Sequence, residues 1–130
     1  MTTELTLLAW TLVLALVHIG LASTMRTRET GLAFNVSARD GEAPPPGPAT
    51  ARVQRAQANL FETLPLFAAA VLIAHVAHRE DASTLLGCQL YLAARVLYLP
   101  LYAFGVPVLR TVVWGVSLAG LIMVIKAILA

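Results

Sequence analysis

Residues 5–25, LTLLAWTLVLALVHIGLASTM, contain no charged side chain between Glu4 and Arg26. A helix of this length crosses about 30 Å of hydrocarbon, so the stretch predicts a membrane span. A cleaved signal peptide would instead have Lys or Arg before a shorter apolar core. Because the residues before this run carry Glu4 and no Lys or Arg, a retained transmembrane helix is favoured.

The rest of the chain is also strongly apolar. Of its 130 residues, 58% are hydrophobic and 12% are charged, and the mean hydropathy is +0.78. Soluble domains carry about 25% charged residues. Further apolar stretches follow at residues 56–78, 83–102 and 107–128, and the last two are close enough to form a tight hairpin. We therefore expect an all-α membrane protein, a single domain over residues 1–130 built as a bundle of four transmembrane helices.

The charge and cysteine counts exclude several classes of function. The net charge is only +2 and the charges are dispersed, which argues against nucleic acid as a partner. The single cysteine, Cys88, allows neither an intramolecular disulfide nor a metal site built from cysteines. Cys88 lies in an apolar run, where a packing role is favoured over a nucleophilic one.

The long connection between the first two spans covers residues 27–54. We expect its segment APPPGPA, residues 43–49, to be neither helix nor strand, because proline lacks the amide donor and has a fixed φ. One arginine, Arg79, lies between the second and third spans. The long connection and its flanks carry five arginines, namely Arg26, Arg28, Arg39, Arg52 and Arg55. The positive-inside rule therefore predicts that this connection is cytoplasmic and that both termini are outside.

A stripe of polar residues follows the second span. Arg52, Arg55, Asn59 and Glu62 are spaced by three, four and three, which places them on one side of a helix. An ionised carboxylate in hydrocarbon costs about 2.5–3.5 kcal/mol, so Glu62 should face protein or water and have a partner. The stripe alone fits either a polar network that joins helices or a ligand site.

A second stripe on the third span favours the ligand site. Tyr91, Arg95, Tyr98 and Tyr102 are spaced by four, three and four, and Arg110 begins the fourth span on the cytoplasmic side. Three helices thus direct polar groups to one depth, in the cytoplasmic half of the membrane. Because polar groups at this depth are costly, their convergence predicts a binding site.

Other polar residues have simpler explanations. For His18, within the first span, a hydrogen bond to a neighbouring carbonyl is favoured over a role in proton relay. His75 and His78 lie three residues apart without a carboxylate or third ligand nearby, so no metal site is expected. Helix packing explains Trp114 and Ser117.

Two motifs resemble those of a known family. Residues 52–67, RVQRAQANLFETLPLF, resemble the signature R-V-x-R-A-x-x-N-x-x-E-x-x-P-x-F of the membrane-associated proteins in eicosanoid and glutathione metabolism (MAPEG). Residues 94–98, ARVLY, followed by Tyr102, resemble the family's A-R-x-x-Y-x-x-x-Y helix. The residues that match the first motif are Arg52, Arg55, Ala56, Asn59, Glu62 and Pro65.

The resemblance implies a homotrimer of four-helix protomers that binds glutathione as a co-substrate between subunits, on the cytoplasmic side. It also implies a cleft facing membrane lipid, where an apolar small molecule binds as the second substrate. Glutathione carries two carboxylates and one ammonium, which suit arginines and an acid respectively. By residue type, the expected carboxylate ligands are Arg52, Arg55 and Arg95, the ammonium ligand is Glu62, and further hydrogen bonds come from Asn59, Tyr98 and Tyr102.

The expected catalytic residue is Arg110. A thiol pKa of about 8.5 falls when a guanidinium is close, and the thiolate is the reactive form. The resemblance to the leukotriene synthase members is looser here, because Arg110 is one residue out of register and Thr63 stands where those members have a tyrosine that contacts glutathione. With these departures, the resemblance still implies glutathione binding, but it does not by itself imply catalytic turnover.

The first hypothesis is therefore a glutathione-dependent transferase or peroxidase that acts on an apolar electrophile. An alternative is a non-enzymatic lipid-binding protein, because the family includes the lipoxygenase-activating protein, which has no catalytic activity. A small proton-coupled transporter is another alternative. It would be expected to carry its essential carboxylate near mid-membrane in the first span, whereas Glu62 is in the second.

Overall fold

The computed structural model describes all residues from Met1 to Ala130. The chain contains helices and no β-strand, and four of its helices are long and apolar enough to cross a membrane. The predicted all-α, four-helix membrane architecture is therefore confirmed. The helices are α1 (Thr3–Thr30), α2 (Leu32–Val36), α3 (Pro48–Val76), α4 (Ala82–Ala103) and α5 (Pro107–Leu129).

The four long helices form an antiparallel bundle in which α3 and α4 each contact all of the others, whereas α1 and α5 do not meet. At its centre the rings of Phe67 and Tyr91 stack with their centroids 4.0 Å apart. Both ends of the chain lie at one end of the bundle. We call the opposite end, where α1 and α4 end and α3 and α5 begin, the loop end. The core also contains Leu60, Val71, Leu121 and Val124.

Helices α4 and α5 form the expected tight hairpin. They are joined by residues 104–106, and Gly105 has a φ of +72°, a conformation that favours glycine. Farther along the hairpin the two helices touch through glycines. A Cβ on Gly87 would lie 2.6 Å from the Gly120 carbonyl oxygen, and one on Gly120 would lie 2.5 Å from the Gly87 carbonyl oxygen. Small residues at this crossing allow the backbones to approach closely.

The connection over residues 27–54 is partly helical. Helix α1 continues to Thr30, α2 forms one short turn of helix, and α3 already begins at Pro48. The expectation that residues 43–49 contain no helix was therefore wrong for Pro48 and Ala49. Proline is favoured in the first helical turn, where its missing amide hydrogen has no intrahelical partner and its fixed φ suits the helix.

A side chain from α1 supports the start of α3. The Glu29 carboxylate accepts hydrogen bonds from the Gly47 amide at 3.0 Å and from the Thr50 hydroxyl at 2.9 Å. The N-cap residue, Gly47, has no side chain of its own for this purpose. A negative charge at a helix N-terminus is also favoured by the helix dipole. Glu29 thereby holds the loop end of α1 against that of α3.

Candidate functional site

The candidate site lies at the loop end, between the start of α3, the end of α4 and the start of α5. Arg52 on α3 donates a hydrogen bond from Nε to the carbonyl oxygen of Ala103, 2.9 Å away. Ala103 is the last residue of α4, where carbonyls lack an intrahelical donor and a cation is favourable. The Arg52 side chain also passes close to Gly105, 3.7 Å from where a Cβ would be. Arg52 therefore fastens α3 to the hairpin.

A pocket of about 250 Å³ opens beside this contact, and we call it the three-arginine pocket. No acidic side chain lines it, so the positive charges of its arginines are not neutralised within the pocket. Arginine binds carboxylates and phosphates through two parallel hydrogen bonds. The pocket therefore suits an anionic ligand. Its lining consists of Arg52, Arg55, Tyr102, Gly105, Pro107 and Arg110.

Tyr102 positions two of these arginines. Its hydroxyl accepts a hydrogen bond from Arg55 Nε at 3.1 Å. The guanidinium carbon of Arg110 lies over the same ring, 4.5 Å from the centroid, and that of Arg55 lies 5.7 Å from it. Cations are attracted to the face of an aromatic ring. One tyrosine thus holds a cation from α3 and a cation from α5 at the same pocket.

A smaller cavity of about 140 Å³ adjoins the three-arginine pocket and shares Arg110 with it. Its other walls come from α3, α4 and the first two turns of α5. Because Arg110 borders both spaces, a group bound beside its guanidinium can be reached from either one. The lining of the smaller cavity is Asn59, Tyr98, Arg110, Thr111 and Trp114.

Arg95 lies behind these cavities and lines neither of them. It is 1% exposed. Its guanidinium donates from Nη1 to Asn59 Oδ1 at 2.7 Å and from Nη2 to Thr63 Oγ1 at 3.0 Å, and it lies 5.0 Å from the centre of the Tyr98 ring. A buried cation needs such partners to offset the loss of water. Arg95 therefore orients Asn59 and Tyr98.

Thr63 completes this buried network. Besides accepting from Arg95, its hydroxyl is 2.8 Å from the hydroxyl of Tyr91 and 3.3 Å from the carbonyl oxygen of Leu60. Thr63 thus joins α3 to α4. Thr63 lines neither the three-arginine pocket nor the smaller cavity.

Glu62 is on the outward side of α3 and forms no ion pair or hydrogen bond within the chain. It lies between exposed apolar side chains, Phe61 and Leu66. Glu62 therefore lines neither of the two cavities that contain Arg52, Arg55 and Arg110. A carboxylate on an apolar surface of this kind is costly in hydrocarbon.

The structure thus divides the predicted site residues into distinct groups. Two cavities collect Arg52, Arg55, Asn59, Tyr98, Tyr102 and Arg110, while Arg95 is enclosed and Glu62 faces outward. Sequence reasoning missed Gly105, Pro107, Thr111 and Trp114 as lining residues. For Trp114 a signal existed, because a residue four positions after Arg110 lies on the same side of a helix.

The remaining polar candidates differ partly from expectation. His18 is buried with its Nδ1 unpaired, so the expected bond to a neighbouring carbonyl is absent. His75 does have a carboxylate nearby, contrary to expectation, because its Nδ1 is 3.1 Å from Glu80 Oε1. No group of three His, Cys, Asp or Glu side chains is placed to hold a metal ion. Cys88 is completely buried in the core.

Comparison with models of protein families identifies a match over nearly the whole chain. The model of the MAPEG family matches residues 7–130, which is nearly the whole chain and includes every residue of both cavities. A search of curated proteins finds no significant match.

Proposed function

The chain belongs to the MAPEG family, and we propose that it is a membrane enzyme that uses glutathione to conjugate or reduce an apolar electrophile dissolved in the bilayer. Membership establishes a membrane protein of the glutathione and eicosanoid metabolism family. The specific activity, the thiol substrate and the assembly are the parts that we propose here.

The observation that carries the proposal is the three-arginine pocket. Glutathione has two carboxylates, and the pocket offers three guanidinium groups with no acid among its walls. Arg55 and Arg110 are held in place by one ring, that of Tyr102, so less side-chain freedom is lost when an anion binds. Arg52 has donors left after its single bond to Ala103.

In this proposal Arg110 is the catalytic residue. The glutathione thiol loses its proton when it binds next to the Arg110 guanidinium, because the nearby positive charge stabilises the thiolate. The thiolate sulfur then attacks the electrophile and forms a carbon–sulfur bond, while the leaving group departs with the bonding electrons. In the peroxidase form, the thiolate sulfur attacks the terminal oxygen of the hydroperoxide, the O–O bond breaks, and the lipid alkoxide takes up a proton and leaves as an alcohol. The sulfenic acid formed on the sulfur then reacts with the thiol of a second glutathione, which gives the disulfide and releases water. Arg110 borders both cavities, so it can face the thiol and the second substrate together.

We also propose that the working form is a homotrimer and that the loop end faces the cytoplasm. The outward position of Glu62 supports the first part, because a second copy of the chain would remove this carboxylate from lipid and complete a site for the glutathione ammonium. The arginines of the loop end support the second part, by the positive-inside rule.

Binding is tested with detergent-purified protein by measuring the thermal midpoint with glutathione and with S-methylglutathione. Both should raise the midpoint at millimolar concentration, and Arg55→Ala should weaken the effect at least tenfold, since a hydrogen bond to a charged group contributes about 1.5–3 kcal/mol. Arg28→Ala, which removes an exposed arginine outside both cavities, is the matched control. No stabilisation of the wild type would refute glutathione as the ligand.

Turnover is tested with an activated aryl chloride and with a lipid hydroperoxide. Arg110→Ala should lower kcat by about 100-fold or more, as expected when a transition-state charge loses its stabilising group. Glutathione binding without turnover in the wild type would favour the alternative, a non-enzymatic lipid-binding protein. Uptake into proteoliposomes that depends on a proton gradient would favour a transporter.

A further inference from the structure

A second polar pocket opens at the loop end on the other side of α3. We call it the α1–α3 pocket, and its volume is about 300 Å³. It shares no residue with the three-arginine pocket or the smaller cavity. Gln54 and Gln57, which α3 contributes, lie on the opposite side of this helix from Arg55 and Asn59. The full lining is Ala22, Ser23, Arg26, Thr27, Asn35, Arg39, Gln54 and Gln57.

The walls of the α1–α3 pocket hold two cations and no carboxylate. Arg26 donates to Glu29 and to the Pro44 carbonyl, and Arg39 donates twice to the Asn35 carbonyl at 3.1 and 3.0 Å. A guanidinium has five N–H donors, so each arginine keeps several for a ligand. Such a set of donors suits a phosphate group.

Two amides add further donors to this wall. Gln54 and Gln57 are both partly exposed and form no hydrogen bond within the chain. Each can donate through its NH₂ group. A phosphate between the arginines and these amides would have donors from α1, from the connection and from α3.

The backbone at Arg39 is held in an uncommon conformation that supports this arrangement. Its φ is +59°, in the left-handed region that non-glycine residues rarely occupy. The Arg39 amide donates to the Ser37 hydroxyl at 3.1 Å, which holds the turn. Here the conformation brings a second cation to the pocket.

The surroundings of the pocket indicate that the phosphate comes from a lipid. Helix α2 leaves Leu32 and Val36 69% and 76% exposed, and α1 exposes Ile19 and Leu21 just before the pocket. Apolar side chains beside arginines, at the end of a membrane-spanning helix, are typical of the headgroup region. A phospholipid could place its phosphate in the pocket and its acyl chains along α1.

We propose that the α1–α3 pocket binds the phosphate of an anionic phospholipid. The proposal does not depend on the glutathione reaction, because the two pockets have no residue in common. It predicts that the protein binds phosphatidylglycerol more tightly than phosphatidylcholine with the same acyl chains.

The test measures the thermal midpoint of the detergent-purified protein against the concentration of each lipid. Phosphatidylglycerol should raise the midpoint of the wild type, and the concentration needed for half of the effect should increase at least tenfold in the double variant R26Q/R39Q. The matched control is Arg28→Gln, which removes the same charge from an exposed position outside the pocket. In this control the phosphatidylglycerol concentration needed for half of the effect should stay within twofold of that for the wild type. An equal loss of lipid affinity in R28Q and R26Q/R39Q would overturn the site.

Two further measurements are needed. One distinguishes lipid phosphate from free phosphate, and the other distinguishes the α1–α3 pocket from the three-arginine pocket. Sodium phosphate, at concentrations where phosphatidylglycerol saturates, should not shift the midpoint, and an equal shift would overturn the lipid as the ligand. Glutathione should stabilise R26Q/R39Q as it stabilises the wild type. Loss of both responses in this variant, with a normal glutathione response in R28Q, would overturn the separation of the pockets.

If R26Q/R39Q does not fold, native mass spectrometry of the wild type still decides the question. From an equimolar mixture of the two lipids, the protein should retain phosphatidylglycerol several-fold more often than phosphatidylcholine, and less so at high salt. Equal retention of the two lipids would overturn the proposal.

Discussion

The guanidinium carbon of Arg110 lies 4.5 Å from the centre of the Tyr102 ring. The hydroxyl of that ring accepts a hydrogen bond from Arg55. The tyrosine therefore acts on the two arginines through different parts of its side chain, the ring face and the hydroxyl, and substitution can separate these contributions.

Tyr102→Phe removes the hydrogen bond to Arg55 but keeps the ring under Arg110. We expect glutathione affinity to fall about fivefold, since one such bond contributes about 1 kcal/mol, with kcat little changed. Tyr102→Ala removes both supports and should lower affinity and kcat together. Thermal midpoints measured against glutathione concentration give the affinity, and steady-state kinetics give kcat. Equal behaviour of the two variants would contradict separate roles for ring and hydroxyl.

Thr63→Val should destabilise the protein with little change in side-chain volume. It removes an acceptor of Arg95 and the partner of Tyr91, and the loss of a bond to a buried charged group costs about 1.5–3 kcal/mol. The thermal midpoint in detergent should fall by several degrees. Thr24→Val, at an exposed position on α1, is the control and should leave the midpoint unchanged.

Gly87→Ala should weaken the α4–α5 hairpin. The new methyl group would lie 2.6 Å from the Gly120 carbonyl oxygen, and a backbone atom cannot move aside as a side chain would. Overpacking of this kind costs about 1–3 kcal/mol. Gly115→Ala, on the same hairpin with no atom within 4 Å of the added carbon, should be neutral or slightly stabilising. The thermal midpoints of the two variants give the comparison, and similar values would show that the crossing is not tightly packed.

Low pH should weaken the hydrogen bonds that Glu80 forms with Thr2 and His75, at the end of the bundle where both chain termini lie. Partial burial opposes ionisation of Glu80, but hydrogen bonds involving Thr2, Glu4 and His75 outweigh it, so the pKa of Glu80 lies below its ordinary value. A lowered carboxyl pKa stabilises the fold above the ordinary value of about 4.3, and the stabilisation is lost as the pH falls through the folded pKa.

Glu80→Gln should therefore give a flatter dependence of the thermal midpoint on pH between about 5 and 3 than the wild type does. Glu42→Gln, in the exposed connection, is the control and should follow the wild type. A Glu80→Gln profile identical to that of the wild type would contradict the contribution of this carboxylate.

Much of the architecture could be predicted from the sequence because a membrane demands long apolar helices. Four such stretches are visible, and the Arg-rich motif on α3 identified the family. Helical spacing also predicted that Arg55 and Asn59 share a side of α3. It could not show which neighbour each residue faces, because spacing describes one helix at a time.

Arg95 and Glu62 illustrate this limit. Both are charges within apolar stretches, and the sequence treats them alike. In the structure Arg95 is enclosed by α3 and the tyrosines of α4, whereas Glu62 is exposed on the outward side of α3. Only the packing of α3 against α4 distinguishes them. The early start of α3 was missed for a different reason. Proline disrupts the interior of a helix but is favoured in its first turn, where Pro48 lies.

The contact between Gly87 and Gly120 also bears on motion. At this crossing the closest contacts between α4 and α5 are made by backbone atoms, which cannot repack as flexible side chains would to permit sliding. Tyr98, Tyr102 and Arg110 are carried on this hairpin, while Arg55 and Asn59 are carried on α3. Any opening of the cavities to admit a substrate would therefore come from a hinge-like displacement of α3 relative to a hairpin that moves as one body.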